Sequence, residues 1–425
     1  MRHSVIRRSL YNGTFFVAGH VLYYTLVVTV NAKVDPVAFG RFYLGWAILN
    51  ILAAPGGVLA LSLSGHFAEI FRLGGTASAV AALGQLAAKL MPWALALAVA
   101  TDAVLLISGR VLGADSTAMI LLLPFTALTS VLVECVRAMF QGMLRFVWFG
   151  ASWLGWCFVQ FAFSVVGLVL VGAPWVVFLG MLTANCLTLI VLLLEVRRIR
   201  SMAATTTAAI PPVVTQSLWP VLPLCVALGG FVLLNNADVL VAYLTLSGAG
   251  LGAYSASAVL PKAIVTATHA VSQVILPVAT HIRSENASLR GALAKAIALT
   301  FALAAFGALS LELASDMVCG GRFGIKFCDP ALLPLLAGAA VAVSVIRTAL
   351  IADVLGGRRW RPYVSIVGLA AFAAAGRLGP QDGFQLARSY TILCWLLLIV
   401  LAAWKLVDWR CARRPPLAAK EAARP

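Results

Sequence analysis

From Phe146 to Leu194 the chain reads FVWFGASWLGWCFVQFAFSVVGLVLVGAPWVVFLGMLTANCLTLIVLLL, forty-nine residues without one Asp, Glu, Lys or Arg. Gly172-Ala173-Pro174 divides this run into two apolar stretches, 147–171 and 174–195. A helix rises about 1.5 Å per residue, so each stretch is long enough to cross about 30 Å of hydrocarbon, and the glycine-proline turn makes them a hairpin. Strands of a membrane barrel would alternate polar and apolar residues, and these runs are continuous.

The same pattern recurs along all 425 residues. Further apolar stretches fall at 12–31, 42–64, 91–112, 117–140, 217–245, 251–280, 292–317, 331–354, 362–376 and 386–408. The predicted fold class is therefore all-α, a polytopic membrane protein of about 12 transmembrane helices in two six-helix bundles. Composition agrees: 62% of residues are hydrophobic and 11% charged, with a mean hydropathy of +0.99, where soluble domains are about one-quarter charged. The first span follows Arg2, Arg7 and Arg8, yet Asn12, His20 and Asn31 interrupt it, so an uncleaved anchor is expected instead of a signal peptide.

Charge placement orients the chain. With the N-terminus inside, 22 of the 31 basic residues fall in inside segments, seven fall outside, and Lys262 and Arg347 lie within spans. This bias predicts a multi-pass protein of the bacterial inner (cytoplasmic) membrane, N-in and C-in. Topology and anionic headgroups account for the net charge of +16, and no nucleic acid partner is expected. The predicted divisions are an N-terminal six-helix bundle at 1–200, a cytoplasmic linker at 201–216, a C-terminal six-helix bundle at 217–410 and a basic cytoplasmic tail at 411–425. After each half's first span comes a similar transition, Val37-Ala38-Phe39-Gly40-Arg41-Phe42 and Ala249-Gly250-Leu251-Gly252-Ala253-Tyr254, as two parallel repeats would place it.

Of eight cysteines, five lie in spans as small packing residues and Cys411 lies in the tail. Cys319 and Cys328 share one outside loop, nine residues apart, and are a candidate disulfide. No Cys/His spacing suits zinc, and neither a metal nor another cofactor is expected.

Polar residues inside spans carry the functional signal, because each is costly in hydrocarbon unless it faces protein or water. Ser255, Lys262, Thr266, His269 and Gln273 fall on one continuous face of span eight. Span seven carries Asn235 and Asp238 one turn apart. Span one places His20, Tyr24 and Asn31 on one side, and span two repeats Tyr43, Asn50, Gly57 and Ser64 at steps of seven. These stripes fit either a shared cavity between the halves or polar glue between helices. Asp238 is either the structural counter-charge of Lys262 or a participant in transport; Glu134 and Arg137 read as a local pair, and Arg347 as a cation free to meet an anion.

With Asp35-Pro36-Val37-Ala38-Phe39-Gly40-Arg41-Phe42 leading into span two, and Asn235-Asn236-Ala237-Asp238-Val239-Leu240 preceding Gly252-Ala253-Tyr254-Ser255-Ala256, the chain resembles the polysaccharide-transport flippases for O-antigen and exopolysaccharide lipid-linked sugars. These belong to the multidrug/oligosaccharidyl-lipid/polysaccharide exporter superfamily. The resemblance implies a V-shaped pair of bundles. Such a protein moves an undecaprenyl-diphosphate-linked oligosaccharide or polysaccharide precursor across the inner membrane by alternating access. Its partners would be that lipid-linked sugar diphosphate, membrane lipids and other polysaccharide-assembly proteins. The expected substrate-binding residues are Lys262, Asp238, Arg347, His269, Asn235, Thr266 and Gln273. Pro55-Gly56-Gly57 and Pro261 are candidate bending points. The alternatives are a multidrug or metabolite cation antiporter of the same superfamily and, less favoured, a polytopic polysaccharide polymerase or ligase. The absence of a triad, phosphate loop, carboxylate dyad or large outside loop argues against an enzyme.

Overall fold

The computed structural model describes residues 2–112, 117–203, 222–284, 289–319, 325–355, 361, 363–378 and 382–413; within these, the side chains of 2–13, 101–112, 272–284, 408–413 and a few scattered others lie outside the description. The described residues form helices α1 (Arg2–Lys33), α2 (Pro36–Leu112), α3 (Thr117–Gly142), α4 (Phe146–Val171), α5 (Val176–Ala203), α6 (Leu222–Thr245), α7 (Gly248–Ser284), α8 (Leu289–Leu313), the short α9 (Ser315–Cys319), α10 (Leu332–Leu355), α11 (Tyr363–Leu378) and α12 (Gly383–Arg413). Nine helical segments among the described residues are long and apolar enough to cross a membrane. The shorter apolar α11, the polar-striped α7 and the second arm of α2 stand at the other three positions where the sequence predicts spans.

Spans two and three are not separated by the loop expected at 65–90. They form one element of 77 residues, about 115 Å if straight, which no bilayer could hold as a single crossing. The helix breaks at Gly75, whose φ of 68° and ψ of −163° lie where a side chain is rarely tolerated. Beyond the break the chain folds back, and Ala79, Val80 and Leu83 join Phe67 and Ile70 in one buried cluster with Val136, Met139 and Phe140 of α3. Pro55 keeps helical dihedrals in this conformation, and the break in α2 lies twenty residues beyond it. Of the predicted linker at 201–216, residues 201–203 end α5, and of the predicted tail at 411–425, residues 411–413 end α12; residues 204–221 and 414–425 lie outside the described residues.

Contacts sort the helices into two lobes. Helices α1–α5 pack on one another, α6–α12 pack on one another, and the lobes meet where α1 and α2 face α6 and α7. The two repeat motifs themselves form the seam. A Cβ added to Gly252 would overlap the carbonyl oxygen of Pro36, and one added to Gly40 would stand 3.0 Å from the Gly252 nitrogen. Only glycine lets the starts of α2 and α7 approach this closely. The seam lies at the end of the bundle that carries the α1–α2 and α6–α7 turns, and it closes the cavity there. Elsewhere Val58, Leu224, Leu228 and Ile351 join the lobes through a small apolar cluster.

A strap from the second lobe reinforces the closed end. Cys319 and Cys328 are joined by a disulfide. Just inside that loop, Lys326 donates its backbone N–H to the Asn31 side-chain oxygen and its ammonium to the Ala32 carbonyl, 2.8 Å away, satisfying acceptors at the C-terminus of α1. Asp329 donates its backbone N–H to Ser257 Oγ at 2.9 Å, tying the strap to α7. In spheroplasts, a membrane-impermeant maleimide should label Cys319 and Cys328 only after reduction. Labelling without reductant would reject the bridge, and no labelling after reduction would place the loop on the cytoplasmic side.

Candidate functional site

The stripes predicted for four helices meet between the lobes around a cavity of about 390 Å³, a size common for small-molecule sites. The i, i+4, i+7 periodicity of α7 turns Lys262, Thr266 and His269 to one side, and α6, α10, α1 and α2 complete the walls with Asn235, Arg347, His20, Tyr24, Tyr43, Asn50 and Gly57. Ser255, Asn31 and Ser64, expected on the same stripes, are not part of the lining. Ser255 is fully buried near the seam, and Asn31 holds the strap. The Gln273 side chain lies outside the described residues.

Lys262 and Asp238 form the predicted ion pair, Nζ to Oδ1 at 2.9 Å. The lysine side chain is 14% exposed and the carboxylate 1%, so the ammonium reaches the cavity while Asp238 sits behind it with Oδ2 unpartnered. The Lys262 ammonium also stands 5.8 Å from the centre of the Tyr43 ring. Thr266 Oγ1 donates to the Lys262 carbonyl at 3.0 Å and so accepts from the Tyr24 hydroxyl at 2.8 Å, a contact that crosses from one lobe to the other. Arg347, from the most buried span of its lobe, lies over the Phe231 ring at 4.9 Å. Its guanidinium has no carboxylate within ion-pairing distance among the described residues, and its Nε–H has no partner.

Other charges are engaged. Arg137 binds Glu134 at 2.6 Å, as the spacing predicted, and also donates to the Ser152 hydroxyl and carbonyl; unexpectedly, both members line the cavity. Asp353 pairs with Lys405 at 3.0 Å and Arg361 at 3.6 Å, leaving Arg347 outside that cluster. Glu134 is thus the single carboxylate among the described lining residues, against Arg137, Lys262 and Arg347.

Sequence reasoning missed the aromatic wall of the first lobe. Phe16 and His20 stack on Trp153 at 4.8 and 5.3 Å, Trp153 stacks on Trp156 at 5.3 Å, and Tyr23 touches Trp46 at 4.8 Å and Tyr24 at 5.3 Å. The signal was present in the i, i+4, i+7, i+8 spacing of Phe16, His20, Tyr23 and Tyr24. No three His, Cys, Asp or Glu side chains among the described residues group as a metal site.

No family model and no curated protein sequence matches this chain. Solved structures do match it over nearly its whole length. An inward-facing multidrug resistance MATE family transporter of the MOP superfamily is 11% identical with a TM-score of 0.65, covering 94% of this chain and 98% of its own. An outward-facing one is 13% identical with a TM-score of 0.63, covering 95% and 94%. A MOP superfamily transporter from Pyrococcus furiosus, described as having a binding pocket of reverse polarity, is 15% identical with a TM-score of 0.61, covering 97% and 96%. At these identities the likeness is one of fold: the chain has the two-lobed, all-helical architecture of these transporters.

Proposed function

We propose that the protein is a flippase that moves a lipid-linked sugar diphosphate, an undecaprenyl-diphosphate-linked glycan precursor, across the bacterial inner membrane by alternating access. The observation that carries this reading is Arg347, a guanidinium at cavity depth without a carboxylate partner among the described residues. A cation held in low dielectric without a counter-charge is a site for an anion. Arginine offers a phosphate a two-pronged donor, and lysine a mobile point charge. In this reading Arg347 and Lys262 take the diphosphate, Asp238 is the resting partner of Lys262, Asn235 and His269, with Gln273 further along α7, serve the oxygens around it, and Thr266, its hydrogen given to the Lys262 carbonyl, holds the Tyr24 hydroxyl at the edge of the site. The diphosphate and sugar need a hydrated path while the tail stays in hydrocarbon, which a cavity between two lobes can supply.

The fold's likeness to multidrug transporters favours a second reading, a drug-cation antiporter. The charge balance of the described lining, three engaged or free cations against one paired carboxylate, opposes it. Purified protein in proteoliposomes should translocate a prenyl-diphosphate-linked sugar, scored by its loss of accessibility to an external glycosidase. Cation-driven ethidium uptake without glycolipid movement would establish the antiporter instead.

A further inference from the structure

The flippase reading gives the pair Glu134–Arg137 no task, although both residues line the cavity. Ser130, Glu134, Arg137 and Gln141 fall at i, i+4, i+7 and i+11 of α3, which is one helical face, and all four border the space between the lobes. This is a fifth polar stripe, in the lobe that does not carry Lys262 and Arg347. Its charged pair is fixed in place. Arg137 Nη1 donates to Glu134 Oε1 at 2.6 Å, while Nε and Nη2 donate to the hydroxyl and carbonyl of Ser152. The Arg137 side chain is 3% exposed and that of Glu134 27%, so the guanidinium is a support and the carboxylate is the group that meets the cavity. An ionised carboxylate has about four lone-pair positions, and Arg137 is the one hydrogen-bond partner of this one among the described residues. Beside it there is room. Gly56 packs on Val131 and Gly142 on Ser64, so α2 and α3 run parallel and Gly57 lies level with the turn from Ser130 to Glu134; a Cβ on Gly57 would meet nothing within 4 Å.

We propose that Glu134 and Gln141 form a hydroxyl-binding subsite of this cavity, holding the sugar of the substrate while Lys262 and Arg347 hold its diphosphate. The proposal rests on the flippase reading. A sugar is neutral and presents neighbouring hydroxyls, which need acceptors without a surplus charge. A bare carboxylate would draw a cation into the cavity. Paired with Arg137 it is neutral as a unit, yet it still accepts charge-assisted hydrogen bonds, about twice as strong as neutral ones. The Gln141 amide, two turns further along the same face, both donates and accepts and so serves a hydroxyl in either sense. Arg137 and Ser152 orient the carboxylate before any ligand arrives, which lowers the ordering cost of binding.

The test uses two kinds of diester of equal charge, a short prenyl diphosphate capped with methyl and the same compound capped with N-acetylglucosamine, glucose or galactose, with affinities measured on the full protein in detergent. The wild type should bind at least one glycosylated probe about tenfold more tightly than the methyl one, the worth of one hydrogen bond to a charged group. In Glu134→Leu, and in Gly57→Leu, which fills the space beside Glu134, that ratio should fall to about one. Arg347→Gln should weaken both probes and keep the ratio. Glu134→Leu strands Arg137, whereas Gly57→Leu leaves the pair intact on another helix, so the test survives if one of them fails to fold. A wild-type ratio of one, or a ratio that persists in the folded variants, overturns the subsite while leaving the diphosphate reading intact. Binding of ethidium that is lost in Glu134→Leu, with no preference for a glycosylated probe, would make the carboxylate a cation site and also overturn it. Failure of the wild type to bind either probe overturns the flippase reading itself.

Discussion

Replacing Lys262 with glutamine should lower glycan translocation about a hundredfold, the worth of one charge-assisted contact to a phosphate. Glutamine still donates a hydrogen bond to Asp238 Oδ1, so the protein should insert and fold, and Lys262→Arg should retain part of the activity. A purely structural pair behaves differently. Removing one member of a buried pair costs about 3–5 kcal/mol, because the other charge is stranded, whereas replacing both with apolar residues of similar volume is close to neutral. The decisive variant is therefore Lys262→Leu combined with Asp238→Leu. If Lys262 meets the substrate, that protein should express well and remain inactive. Full glycan export by the double variant would reduce the pair to a structural one and remove Lys262 from the mechanism.

A second large effect is expected from a single methyl group at the seam. In Gly252→Ala the new Cβ overlaps the Pro36 carbonyl, and neither partner is the end of a flexible side chain, so α2 and α7 must separate. Forcing a methylene into a packed interior costs about 1–3 kcal/mol. Borne by the closed seam alone, that cost shifts the balance between closed and open forms by about ten- to a hundredfold. Translocation should fail, and the substitution Ser255→Cys, at a position fully buried in the closed form, should gain reactivity toward an impermeant maleimide when combined with Gly252→Ala. Gly229→Ala on α6, where a Cβ meets nothing within 4 Å, serves as the control and should transport normally. An unreactive thiol together with normal transport in Gly252→Ala would show that the seam does not open at this point.

What could be read from the sequence followed from cost. Apolar runs announce spans because nothing else tolerates hydrocarbon, and Lys262, Asp238 and Arg347 stood out because a charge there demands an explanation. The closeness of Lys262 to Asp238 followed from their positions on consecutive helices, whereas the repeat motifs announced two similar halves without announcing that they meet at the seam. Aromatic residues are inexpensive anywhere in a membrane protein, so Tyr23, Trp46 and Trp153 gave no such warning. The course of α2 was hidden for the opposite reason. The polar stretch around Arg72 resembles a loop when judged by hydropathy, although a helix that leaves the bilayer keeps its backbone hydrogen bonds and continues. The engagement of Asp353 by Lys405, on another helix far along the chain, could not be read from spacing at all.

The strap also sets an order of assembly. Lys326 grips the end of α1 across 295 residues of sequence, so the whole first lobe is made before the segment that clasps it has been synthesised. At about 5–20 residues per second, that interval is about 15–60 s, long compared with helix formation and packing. During that time the Ala32 carbonyl and the side-chain oxygen of Asn31 lack the partners that Lys326 supplies. The bridge between Cys319 and Cys328 then joins two thiols that emerge within moments of each other, so the clasp can form locally, after the first lobe has been made and before α10–α12 are complete.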